Sequence, residues 1–279
     1  MLPTRRDLHF RLDPNLICTW RNADRKTTHF YNALSIFFPE GERFFIHSVR
    51  HYRDRISDPE LQQAVTAFIG QEAMHGREHT EYNEAMQAAG LPVHALESIV
   101  TALLERLKRK LPAQMQLSTT IALEHLTAII ADALLNHPQW IDDADPNYRA
   151  LWRWHALEET EHKAVAFDVY DRVFGRGTAA YLQRCTGLIG ATALFWPLVL
   201  AFHLSLIRAD RKAPRIRGWG DVVSMLWHPR EGLFPNIARP WLDYFRRDFH
   251  PWDHDNRAQL ERMAEWVAPI KISEPALVA

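Results

Sequence analysis

Cysteine is almost missing from this chain. Of 279 residues only Cys18 and Cys185 are cysteines, too far apart for a CxxC knuckle and too few for a disulfide framework. A cysteine-built zinc site is thereby excluded, so any metal centre has to come from histidine and carboxylate. Excess charge of either sign is also missing: 33 Lys and Arg stand against 34 Asp and Glu, a net of −1. No global field points to nucleic acid as a partner. Glycine is scarce, at 11 residues, and alternating β-branched runs are nearly absent, which argues against sheet. The sequence shows no low-complexity segment and no short repeat. No uninterrupted apolar run follows the arginines of the opening MLPTRRDLHFRLDP. No signal peptide is therefore expected, and a reducing cytoplasm is the expected compartment.

What is present favours helix. Hydrophobic residues make up 47% of the chain, ample for the core of one large domain with an extension. Residues 1–30, with two prolines, read as an irregular N-terminal arm. A first helix is expected from about Pro39-Glu40-Gly41-Glu42 to Ile56, with Phe45, Ile46 and Val49 on the face of Glu42. A second runs from Pro59, after the cap candidates Ser57 and Asp58, to the stop at Gly90. The amphipathic stretch Leu96 to Leu107 serves as a crossover, and a third helix spans about Pro112 to Asn136. The fourth repeats the start signal as Asp145-Pro146 and ends near Phe174, before Gly175. The predicted fold class is all-α: a four-helix bundle over 31–176, a long crossover between helices two and three, and a helical extension over 177–279.

Two of these helices carry the same pattern. Gln71-Glu72-Ala73-Met74-His75 and Glu158-Glu159-Thr160-Glu161-His162 each supply Glu-x-x-His. Residues three apart on a helix share a face, so Glu72/His75 and Glu159/His162 can each hold one ion. Glu42 and Glu124 lie on the apolar faces of helices one and three. One Glu from each of two helices plus Glu-x-x-His from each of the others is the ligand set of ferritin-like di-iron and di-manganese carboxylate bundles. The spacing agrees: 30 residues from Glu42 to Glu72, 52 from Glu72 to Glu124 and 35 from Glu124 to Glu159, a short–long–short pattern. Four carboxylates converging in an apolar core repel unless cations neutralise them, and two divalent ions balance the four charges. Iron is the expected metal and manganese the alternative.

Several neighbours compete for roles. Phase favours Glu42 over Glu40, and matched spacing favours Glu159 over Glu158. His125, beside Glu124, points about 100° away on a helix and reads as packing. His79 follows His75 by one turn and His155 precedes Glu159 by one turn. Helices two and four run antiparallel if there is one long crossover, so these two histidines should meet at one end of the site. They are either supporting residues, an extra ligand, or acid/base groups acting on substrate. Trp152, Trp154, Phe167 and Tyr170 read as core filling rather than an electron path.

Residues 185–207 are 23 positions without Asp, Glu, Lys or Arg, long enough to span a bilayer. Burial against the bundle, or as a homodimer face, is one reading. Contact of 185–217 with a membrane surface is the other, since 208–217 is basic.

The segments FFPEGERFF, FIGQEAMHGREH, ALEHLTA and WHALEETEHKAVAFDVY resemble a bacterial family described as predicted metal-dependent hydrolases, similar in turn to the ferritin-like superfamily. The resemblance covers roughly residues 30–250. It implies a hydrolase and metal ligands at Glu42, Glu72, His75, Glu124, Glu159 and His162. Three activities follow as expectations. The first is oxidase or oxygenase chemistry on an unidentified small organic molecule, apolar if the chain contacts a membrane, favoured by analogy with carboxylate-rich bundles. Metal-dependent hydrolysis is the second. A non-catalytic iron-binding or membrane-associated role is the third.

Overall fold

The computed structural model describes residues 2–261 and is all-α. Among the described residues the only bridge of strand type is an isolated one between Arg21 and Ala144. Helices α1 (Arg25–Ser35), α2 (Phe38–Arg50), α3 (Pro59–Ala88), α4 (Val93–Lys110), α5 (Ala113–Asn136), α6 (Pro146–His162) and α7 (Val165–Phe174) precede the extension. The extension holds α8 (Thr178–Ala209), α9 (Trp219–Trp227), α10 (Leu233–Asp243) and α11 (Arg257–Glu261). Residues 262–279, the end of the predicted extension, lie outside the described residues, as does Met1. Helix α2 packs along α3 and α5 along α6, with α2 also against α5 and α3 against α6 and α7. Helix α4 is the crossover and leans on α2, α3 and α5.

Local chemistry sets the element ends as expected. Asp58 accepts from the backbone N–H of Glu60 at the start of α3, and Asp145 accepts from Asn147 and Tyr148 at the start of α6. Each is followed by a proline, whose fixed φ suits a first turn. Gly90 stops α3 with φ +86°, in the left-handed region that a side chain would strain.

Three expectations need correction. The segment 1–30 is not irregular throughout: after a 3-10 turn at Pro14–Leu16, α1 begins at Arg25. Asp24 caps it, and Lys26, Thr27, Thr28 and His29 are buried along its length. Tertiary burial overrides the weak helix propensity of threonine and histidine. The first bundle helix ends at Arg50, followed by a short 3-10 turn at Arg53–Arg55, rather than reaching Ile56. The fourth helix is broken at Lys163-Ala164, directly after His162. No proline or glycine marks that break; the Lys163 ammonium instead donates to His254 O at 2.6 Å and Asn256 Oδ1 at 2.7 Å.

Among the described residues two helices, α5 and α8, are long and apolar enough to cross a membrane. The most apolar window of α5 is 72% buried, as befits a core helix, whereas that of α8 is 39% buried. One side of α8 buries Leu188, Val199, Phe202 and Leu206, while Leu182, Ile189, Leu194, Leu200 and Leu204 are exposed. The buried side approaches α5 closely at Gly187, where an added Cβ would lie 2.5 Å from Ser118 Oγ and 2.8 Å from the Ser118 carbonyl oxygen. The backbone cannot yield as a side chain can. Gly187→Leu is expected to push α8 off α5 and destabilise the protein by about 3 kcal/mol or more, read as a lower denaturant midpoint. A midpoint within error of wild type would refute this packing.

Candidate metal centre

Helix phase carries all six predicted ligand residues inward, and the bundle brings them together. Glu42, Glu72, His75, Glu124, Glu159 and His162 are each at most 2% exposed. Ligand atoms of Glu72, His75 and Glu159 lie within 4.8 Å of one another, as do those of Glu72, Glu124 and His162. A third group of the same kind joins Glu42, His75 and His155. Glu72 belongs to two of the groups and His75 to two, so the three form one continuous cluster. His162 Nε2 faces three carboxylates, 3.1 Å from Glu72 Oε1, 3.5 Å from Glu124 Oε2 and 3.6 Å from Glu159 Oε2. Gly76 keeps room for this convergence, since a Cβ there would come to 3.1 Å from Glu42 Oε2.

The cluster fits metal ions by a direct structural criterion. Both carboxylate oxygens of Glu42, Glu72 and Glu124, together with His75 Nδ1 and His162 Nε2, are buried without a hydrogen-bond partner. Buried polar atoms are almost always paired, and eight orphans within one cluster are explained by cations that use them as ligands. Their protonation behaviour states the same conflict. Burial, followed by repulsion from the neighbouring carboxylates, holds the Glu42 and Glu72 carboxyls well above the usual range, and burial takes Glu124 to about 8. Burial also opposes charge on His162, but the close Glu159 and Glu124 carboxylates outweigh it and raise it to about 9.

Outside these atoms lies a second layer whose role the sequence did not indicate. Glu158, weighed above as a ligand, instead stands behind His75: its Oε2 is 3.1 Å from His75 Nε2 and its Oε1 accepts from Trp154 Nε1 at 2.8 Å. His75 Nδ1 is thereby the atom left for a metal. On the other side Gln71 Oε1 is 3.0 Å from His162 Nδ1, and Gln71 Nε2 donates to Glu161 at 2.5 Å. Arg6, from the N-terminal arm, donates to both Glu158 and Glu161 at 2.9 Å and closes this layer. Such contacts fix the plane and tautomer of a ligating imidazole. Glu40, by contrast, pairs with Arg43 at 2.6 Å away from the cluster.

His79 and His155 meet as the antiparallel reading requires, with His79 Nε2 and His155 Nδ1 2.8 Å apart. The network beyond them fixes which nitrogen carries each proton. Asn83 Nδ2 donates to the Glu97 carboxylate at 2.8 Å, which orients the amide, so Asn83 Oδ1 accepts from Ser35 Oγ at 2.8 Å. Ser35 Oγ then accepts from His79 Nδ1 at 2.9 Å, and His79 Nε2 accepts from His155 Nδ1. His155 Nε2 then faces Glu159 Oε1 at 3.0 Å and the cluster: it donates to Glu159 when His155 is charged and bears the ring's lone pair when His155 is neutral. His79 lies behind His155 with both nitrogens engaged, and burial followed by the neighbouring histidines keeps it well below the usual imidazole range. His125 is a packing residue, against Tyr244 and Phe249, and donates to Pro240 O at 3.1 Å.

Elsewhere Cys18, His29 and Asp210 also approach one another, but Arg25 occupies Asp210 at 2.5 Å and Asn32 is 3.2 Å from His29 Nδ1. That group is an ion-paired clasp between α1 and the end of α8.

An all-helical protein with a buried carboxylate–histidine cluster of this kind belongs to the class of candidate metalloproteins. More specifically, residues 4–255 match the family described as predicted metal-dependent hydrolase, and the chain belongs to that family. No curated protein and no solved structure matches it.

Proposed function

We propose that the protein is a metal-dependent hydrolase whose centre takes two divalent ions. Glu42, Glu72, His75, Glu124, Glu159 and His162 would hold them, in the manner of ferritin-like carboxylate bundles. The observation that carries this reading is the set of eight buried, unpartnered ligand atoms. Ions bound there would polarise a carbonyl or phosphoryl oxygen and bring the pKa of a bound water toward neutrality. His155 accepts a proton at Nε2, the side turned to the cluster, while Nδ1–H remains bonded to His79. His79 acts through His155: with Ser35 it holds the ring plane. Phe38 covers both histidines, with ring centroids 4.5 Å and 4.4 Å away, and keeps bulk water from them.

Oxygen-activating chemistry is a second reading, favoured by the composition of the set. Four carboxylates and two histidines, all on helices, suit iron or manganese better than the histidine-rich sets of many zinc hydrolases. One experiment separates the two. Protein reconstituted with zinc, manganese or ferrous iron is assayed without oxygen on p-nitrophenyl acetate and phosphate, and oxygen uptake by the ferrous form is then recorded. Hydrolysis that needs metal but not oxygen is the expected result. Oxygen uptake with a transient visible band, and no ester or phosphate turnover, replaces it with the redox reading. In the first case His79→Gln should lower kcat at least about tenfold with little change in KM, and metal content should be retained.

A further inference from the structure

An apolar groove runs from the surface between α4 and α8 down to the metal cluster. Its walls include Phe45, Leu103, Leu107, Leu123, Phe195 and Leu198. Three polar residues reach it, Glu42, Thr119 and Thr127. Thr119 Oγ1 is satisfied by Met115 O at 2.9 Å, and Thr127 Oγ1 donates to Glu159 Oε2 at 2.6 Å. The one polar group left without a partner in the groove is thus the Glu42 carboxylate, a candidate metal ligand.

Gly41, beside Glu42, also lines the groove. It lies inside α2, where glycine weakens a helix relative to alanine. Nothing in the protein demands it. Its φ is not positive, and an added Cβ would meet only the Phe45 ring, at an ordinary 3.9 Å. Gly76 and Gly187, by contrast, are each required by a close neighbour. The space that a side chain at 41 would fill is left open beside the cluster.

We infer that this groove holds an alkyl chain of the substrate, with the reactive end at Glu42. A polar tail has no partner along the walls, whereas an alkyl chain gains from each carbon it buries. The inference rests on the metal-centre reading for where the chain ends, but its test does not require turnover.

The full chain is titrated with dansyl-undecanoic acid, which is then displaced by straight-chain fatty acids from hexanoate to hexadecanoate. Displacement is expected to tighten about fourfold per methylene, the equivalent of ~0.8 kcal/mol, until the groove is full. Gly41→Phe should weaken dodecanoate at least about tenfold, the loss of two or more buried methylenes, with metal content and melting temperature retained. Gly41→Ala should bind nearly as wild type. If Gly41→Phe does not fold, Leu103→Trp narrows the opposite wall and is read the same way. Affinity indifferent to chain length, or dodecanoate bound as tightly by the narrowed variants, overturns the proposal. Chain-length-dependent binding without ester turnover leaves it standing and counts against hydrolysis. Ester turnover that ignores chain length does the reverse.

Discussion

Glu72→Gln is expected to abolish tight metal binding while raising the melting temperature of the metal-free protein. The two effects have one cause. Glu72 is fully buried, belongs to two of the three ligand groups, and has both oxygens unpartnered. Without cations, burial and the neighbouring Glu124, Glu159 and Glu42 oppose its charge, so the fold keeps its carboxyl protonated well above the usual range. The amide cannot ionise, keeps the volume and gives the remaining carboxylates a donor. At neutral pH the acid is tolerated in the fold only by holding a proton that the unfolded chain releases, so the amide relieves a cost on the order of a few kcal/mol in the metal-free state. With metal the order reverses. Loss of a residue that only supports a ligand costs about 10- to 100-fold in affinity, so loss of a ligand should exceed about 100-fold. Wild type then gains about 4 kcal/mol from metal at a thousand times its dissociation constant, and the variant gains almost none. Melting curves with chelator and with saturating metal should therefore cross: the variant is the more stable without metal, the less stable with it. Glu40→Gln, which alters only the pair with Arg43, should change neither curve. A variant that binds metal like wild type, or melts far below it in chelator, removes Glu72 from the centre.

The parts of this site legible in the sequence are those set by the helix itself. Glu72/His75 and Glu159/His162 share faces because 3.6 residues make a turn, and the phase of Phe45 and Val49 turns Glu42 inward. The supporting layer was not legible for the converse reason. Gln71, Glu158 and Glu161 each stand one position before a candidate ligand, about 100° away on the helix. They act on the opposite helix, 83 to 91 residues distant in the chain. The nearest thing to a signal is a polar side chain flanking each ligand on a helix with little exposed surface. Arg6 gives none, because an irregular arm has no periodicity from which to infer its target. Helix α1 was hidden similarly: its buried residues include Lys26, Thr27 and Thr28, and the Lys26 ammonium is satisfied by distant groups, the Pro214 and Arg217 carbonyls and the Trp219 ring. The alternatives for 185–207 divided along the helix, one side packed and the other open, which hydropathy alone cannot assign.

Metal-free protein should lose stability steadily as the pH rises from about 6 to 9, and metal should abolish or reverse that slope. Glu124, ordinarily 4.5, titrates near 8 in the fold. Between those values the folded chain holds a proton that the unfolded chain has released, so each rise in pH favours unfolding. His162 acts in the same direction. Its folded value of about 9 exceeds the ordinary 6.5, so its contribution is full below 6.5 and is lost as the pH passes through 9. Glu42 and Glu72, also raised, add to the decline. On the acid side two groups work the other way. Burial keeps His75 neutral in the fold, so protonation of the unfolded chain below 6.5 opposes folding there. Glu159 is held well below 4.5, since the adjacent His155 and His162 imidazoles outweigh its burial, and its contribution is lost on further acidification. Up to pH 6.5 His75 offsets part of the decline, which is therefore steepest above that value. Each proton shifted by one pH unit is worth ~1.4 kcal/mol, so even one such group alters stability by several kcal/mol over the range. Metal binding displaces these same protons and tightens as they leave, so added metal stabilises most at high pH. Unfolding midpoints measured from pH 5 to 9, with chelator and with saturating metal, should diverge as the pH rises. Two parallel profiles, or a metal-free protein that grows more stable above pH 6, would mean that these carboxylates do not share one buried site.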